Sequence, residues 1–162
     1  MKTDKIVLGS LLLTLVAAPA IRAQDSSSLP YDQKVDVVYG EVHGTGLLMD
    51  VFTSKGKANG LGIIDVVSGA YYSDRRKIRD HILAQVYSIF CSRGYTVFAI
   101  RPGSRTRYTA PEMEAHVKIG IRYVKQHAAE YKIDPDRLNA IGRMGGPAYA
   151  RTRDRFEMQR PK

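Results

Sequence analysis

Apolar and polar residues alternate through Val35-Asp36-Val37-Val38-Tyr39, and this period of two predicts a half-buried strand. Gly40 and the turn-prone His43-Gly44-Thr45-Gly46 come next. Residues 47–53 read as a second strand, so the pair predicts an antiparallel hairpin. After a loop at 54–60, residues 61–67 are mostly apolar and β-branched, as in a strand covered on both faces. The period then changes. Between Ser73 and Arg93, Ile78, Ile82, Leu83, Val86, Ile89 and Phe90 recur at steps of three and four. That spacing predicts one amphipathic helix, with Ser73 or Asp74 as N-cap and Gly94 as its stop. Residues 95–100 form a further buried strand, ended by Pro102-Gly103. Thr109-Ala110-Pro111-Glu112 is a capping box, and the helix it opens carries Met113, Val117, Ile121 and Val124 to about Tyr131. Asp134-Pro135-Asp136 is a turn, and residues 138–142 are a short strand.

The order strand, strand, strand, helix, strand, helix, strand implies right-handed crossovers from the third strand onward. The expected fold is therefore α/β: a mostly parallel sheet with an antiparallel edge hairpin and flanking helices.

Charge and composition change this picture mainly at the N-terminus. A basic start, the apolar run 6–18, and small-residue sites at Ala20 and Ala23 have the anatomy of a signal peptide over 1–23. Such a run is short for a permanent bilayer span, so no stable membrane anchor is expected after cleavage following Ala20 or Ala23. The mature chain would be periplasmic or secreted, with residues 24–34 as a polar lead-in. A single cysteine, Cys91, excludes an internal disulfide and reads as a buried thiol. His43, His81, His116 and His127 show no metal-ligand spacing, so no metal or cofactor is expected. His116 and His127 read as solvent-facing or partly buried. The net charge of +9 is spread along the chain except at Arg75-Arg76-Lys77 and in the last dozen residues. With no nucleic-acid module present, nucleic acid is not an expected partner, while a basic surface for a polyanion stays open.

Several stretches resemble the α/β-hydrolase superfamily, in its secreted lipase and esterase branch of acetyl- and feruloyl-esterase-like proteins. Val67-Ser68-Gly69-Ala70-Tyr71-Tyr72-Ser73 falls where that branch carries a glycine-rich loop after its third strand. Arg93-Gly94-Tyr95-Thr96-Val97-Phe98-Ala99-Ile100 is similar to the strand after its first crossover helix, and 123–137 to the helix and Asp-Pro turn before its nucleophile elbow. The resemblance spans about 35–150, with 35–146 as a partial hydrolase domain and 147–162 as a basic tail outside the pattern. It implies G-x-S-x-G at the elbow, and here Gly142 and Gly146 hold the glycine positions while Met144 stands at the serine position. It also implies oxyanion donors from Ser68, Gly69, Ala70 and Gly145, with Tyr71 and Tyr72 as substrate-lining candidates.

A thioether has no proton to give up, so Met144 cannot be the nucleophile. The family order places Asp and His after the serine, and no histidine follows Met144 in this chain. The expectation is a truncated ester-hydrolase lineage, its reading frame altered or stopped after residue 142. In the family the substrate is a small-molecule or polysaccharide ester, and an uncovered sheet edge would favour self-association. The alternative is a non-catalytic secreted binding module with a basic tail. Ser68 with Asp65 and His81 would be a second constellation, but Ser68 belongs to the matched loop and nothing in the sequence brings His81 to it. The loop 101–107 reads as solvated and basic. A dinucleotide-binding domain would need G-x-G-x-x-G where Ser68-Gly69-Ala70-Tyr71 stands.

Overall fold

The computed structural model describes residues 28–142. The expected signal segment at 1–23, Met144, Gly145, Gly146 and the tail at 147–162 lie outside the described residues. The elements are β1 (Tyr31–Val42), β2 (Thr45–Ser54), β3 (Gly62–Val66), α1 (Arg75–Leu83), α2 (Val86–Cys91), β4 (Thr96–Arg101), α3 (Ala110–Gln126) and β5 (Leu138–Gly142). They form one five-stranded sheet in the order β1-β2-β4-β3-β5. Strands β4, β3 and β5 run parallel, and the β1-β2 hairpin forms one edge, as expected. Strand β2 also runs antiparallel to β4, which makes the sheet mixed.

The hairpin closes through His43 at φ +50° and Gly44 at φ +68°, the left-handed pair that suits a two-residue connection between twisted strands. Strand β1 begins at Tyr31, so residues 31–34, expected in the polar lead-in, are strand. Tyr31 explains the extension. It is buried edge-to-face against Phe52, with ring centroids 5.2 Å apart.

The single helix expected between 73 and 93 is two helices. Asp74 caps α1, its Oδ1 accepting from the Arg76 N–H at 2.7 Å. Gln85 then takes φ +58° and breaks the helix. The break re-aims the second segment, so that Tyr87 and Cys91 face the sheet while Leu83 and Ile89, expected on the buried stripe, are exposed. Tyr87 stacks on Phe52 at 3.8 Å between ring centroids, and Cys91 Sγ lies 3.6 Å from the Phe52 carbonyl. Helix α3 opens with Glu112 Oε2 accepting from the Thr109 N–H at 2.7 Å. It ends at Gln126, earlier than Tyr131, and turns at 127–132 lead to Asp134. The Asp134 side chain accepts from the Asp136 N–H at 2.9 Å and sets the turn into β5.

Each sheet face carries its own core. Met49, Val51, Ile64, Phe98 and Ile100 pack against α3, whereas Phe52, Ile63, Val67, Val97 and Ala99 pack against α1 and α2. Phe98 is fully buried at the centre of the first cluster, edge-to-face with Tyr131 at 5.0 Å. Phe98→Ala is expected to cost about 3–5 kcal/mol in urea unfolding. Val38→Ala, at a side chain 57% exposed, should stay within about 0.5 kcal/mol. Equal losses for the two variants would contradict this placement of the core.

Candidate functional site

The C-terminal ends of the parallel strands β3, β4 and β5 lie side by side, with Val66 paired to both Ile100 and Gly142. In open α/β sheets this edge is where ligands bind. Gly142 sits at φ +106°, and a Cβ there would come within 2.6 Å of the Val66 carbonyl oxygen. Only glycine fits where β5 passes so close to β3.

The loop after β3 forms a tight turn, in which the Gly69 N–H donates to Tyr72 O at 2.8 Å and the Tyr72 N–H to Gly69 O at 2.9 Å. Its central residues, Ala70 at φ +50° and Tyr71 at φ +65°, are both left-handed, a strained state for residues with a Cβ. The loop after β4 holds this turn in place. The Arg105 N–H donates to Tyr71 O at 2.9 Å, and the Ser73 N–H donates to Ser104 Oγ at 2.9 Å. Ser73 Oγ donates in turn to Val67 O at 2.6 Å.

Only part of the expected oxyanion set is free. The Ser68 N–H is spent on Val66 O at 2.9 Å, and the Gly69 N–H is used within the turn. The N–H groups of Ala70 and Tyr71 have no acceptor among the described residues, so the free N–H groups of this turn include that of Tyr71, which was expected only as a lining residue. Its side chain packs on the α3-side core, while that of Tyr72 stays exposed. Ser68 Oγ is buried without a partner among the described residues.

Asp65 and His81, set aside from the sequence, do meet. His81 Nδ1 lies 2.7 Å from Asp65 Oδ2, and the Tyr87 hydroxyl donates to the same oxygen at 2.9 Å. No hydrogen bond joins His81 to Ser68, so the pair does not complete a serine triad among the described residues. It belongs to a row across the sheet instead. Asp50 and Asp65 both pair with Ala99, and both side chains are fully buried on the face that α1 covers. Helix α1 meets each: His81 binds Asp65, and Arg75 Nη1 reaches Asp50 Oδ2 at 3.4 Å. Asp50 also accepts from Gln33 Nε2 at 2.8 Å and from the Asp36 N–H at 3.1 Å. Asp36 in turn accepts from Arg75 and Arg101. The 101–107 loop thus begins with a paired, largely buried arginine, and only its later part is the solvated basic loop expected.

His116 corrects an expectation. It is 2% exposed on α3, with Nδ1 donating to Pro102 O at 2.6 Å, because α3 packs directly beneath the loop after β4. His127 is half-buried and stacks on Tyr123. Burial pushes the Cys91 thiol up to about 12, which leaves it protonated and inert at neutral pH. Among the described residues no cluster of three His, Cys, Asp or Glu side chains could hold a metal ion. No helix among them is long and apolar enough to cross a membrane.

The BD-FAE family model matches residues 49–152, from inside β2 through the loops just described and on past β5. The chain belongs to the BD-FAE family. The match continues into 147–152, part of the stretch expected to fall outside the pattern. No curated protein matches this BD-FAE chain in sequence. Its fold is that of α/β hydrolases. A truncated carbohydrate esterase from gut microbiota superposes with a TM-score of 0.60 at 23% identity, over 71% of this chain and 40% of that one. An arylesterase gives 0.56 at 17% identity, over 72% and 38%. Thermogutta terrifontis esterase 2, phosphorylated by paraoxon, gives 0.55 at 24% identity, over 70% and 43%. The chain thus spans about two fifths of the length of these proteins.

The hydrogen bond to Asp65 is the main cause that raises His81 above its ordinary value near 6.5. Burial and Lys77 oppose the shift, and Asp80 adds to it. A raised folded value means that this pairing stabilises the fold fully below about pH 6.5 and fades as pH rises through the folded value. His81→Gln should therefore lose more stability relative to wild type in urea at pH 6 than at pH 9. An equal loss at both would remove the charged pair as its cause.

Proposed function

We propose that this chain carries the N-terminal part of a secreted carboxylic-ester hydrolase of the α/β type, and that as it stands it performs no serine-triad hydrolysis. The observation that carries the reading is Met144, which stands where the resemblance puts the nucleophile serine, inside the stretch 49–152 that the family model matches. A thioether cannot attack an ester carbonyl as a deprotonated hydroxyl does. The similar structures named carbohydrate esterase and arylesterase support a small-molecule or carbohydrate ester as the substrate class of the lineage. In that setting the free N–H groups of Ala70 and Tyr71 suit an oxyanion, and Gly145 would supply the donor after the nucleophile. Export rests on the apolar run 6–18 followed by Ala20 and Ala23. A binding role without catalysis is the second reading, favoured by the exposed Tyr72 ring beside Arg105.

The wild-type chain is expected to leave p-nitrophenyl acetate hydrolysis at the buffer rate, because the thioether of Met144 cannot attack the ester carbonyl. Turnover abolished by a serine-directed inhibitor would overturn the reading. Strand β5 pairs only with β3 among the described residues, which leaves its outer edge open to another strand. Light scattering after size exclusion should show an average mass that climbs with concentration. A constant monomer mass would argue that the edge is covered.

A further inference from the structure

Two cations flank the turn after β3. Lys77 lies along Gly69, where a Cβ would come within 3.1 Å of Lys77 Cε and 3.6 Å of Nζ. On the other side the Arg105 guanidinium lies 4.7 Å from the centroid of the Tyr72 ring. Lys77 is paired with Asp80 at 3.3 Å, whereas Arg105 has no acidic partner among the described residues. Tyr72 remains 39% exposed although its backbone is fixed by the turn. The turn therefore presents an aromatic face, an unneutralised guanidinium and two unused N–H donors, all on backbone pinned from the loop after β4.

We propose that this turn binds an acid-bearing saccharide, a uronic-acid unit whose carboxylate is taken by Arg105 while its ring lies on Tyr72, which leaves the N–H groups of Ala70 and Tyr71 to the ester oxyanion. The inference rests on the hydrolase reading for its setting and adds the substrate class. A guanidinium matches a carboxylate with two parallel hydrogen bonds, and charge-assisted bonds of this kind are about twice as strong as neutral ones. The tyrosine supplies a rigid apolar face with a polar rim, the surface that the flat side of a sugar ring covers. A neutral sugar would gain from the tyrosine alone and leave the arginine without a counter-charge. The strain at Ala70 and Tyr71 fits this role, since strained backbone persists where the surroundings over-determine it and it holds the ring in one orientation.

The test is calorimetric titration of the full chain at low salt with trigalacturonic acid, and with galactotriose as the neutral counterpart. The acid is expected to bind and the neutral trisaccharide is not. Arg105→Ala should weaken binding about tenfold, the loss of a hydrogen bond to a charged group. Tyr72→Ala should weaken it about fivefold. Arg79→Ala removes the same charge from an exposed position on α1 and should leave binding unchanged. Arg105→Lys keeps the charge, loses the planar fork, and should fall between wild type and Arg105→Ala. Matching melting curves exclude unfolding as the cause of any loss. No binding of the acid, equal binding of the two trisaccharides, or equal weakening by Arg79→Ala and Arg105→Ala would each overturn the proposal. Because binding is read without turnover, its failure leaves the reading of Met144 intact, and esterase activity would overturn that reading without touching this one.

Discussion

Two carboxyl groups buried in one row of the sheet govern how the rest is assembled. Asp50 and Asp65 flank Ala99 on the face that α1 covers, and neither side chain reaches solvent. Burying such groups without partners is costly. The partners come from one helix. Arg75 and His81 sit six residues apart on α1, with the buried Ile78 between them, so docking the helix satisfies both carboxyls at once. The small side chain of Ala99 leaves room for that approach. Asp65 precedes the turn at Gly69–Tyr72 and His81 follows it, so their bond fixes the span of chain from which the turn must be made.

Much of this was legible in the sequence, because strand alternation and helix period report the local environment of each side chain. The hairpin, the buried β3 and β4, the capping box at Thr109 and the Asp134 turn all follow from neighbours within a few residues. The two helices at 75–91 were not separable, because Ile82, Leu83, Val86 and Ile89 keep a helical period across the break at Gln85. What decides the break is the pairing of Tyr87 with Phe52 and Asp65, groups contributed by distant strands. His116 was misplaced for the same reason. Its position on α3 suggests a solvent-facing polar residue, and only the passage of Pro102 overhead supplies its acceptor.

The site shows the same division. The resemblance to α/β hydrolases singled out Ser68, Gly69 and Ala70, in the loop after the buried third strand. Which N–H groups stay free depends on the turn conformation, and a turn with two non-glycine residues at positive φ is not one the sequence advertises. Hence the free N–H of Tyr71 is not legible in the sequence, while its ring packs on the α3-side core. The Asp65–His81 pair has the contact distance of a catalytic dyad, yet its partners tie it to the helix–sheet packing.

His116 has one more consequence. His116 holds Pro102 from below while Ser104 and Arg105 bind the turn from the side, so both loops are fixed in the folded chain. Segments already ordered lose little conformational freedom when something docks on them, so the entropic cost of association falls mainly on the incoming molecule. Recognition at this edge of the sheet would then resemble the meeting of a mobile ligand with a rigid template, and the gain from stiffening that ligand would appear undiminished in its affinity.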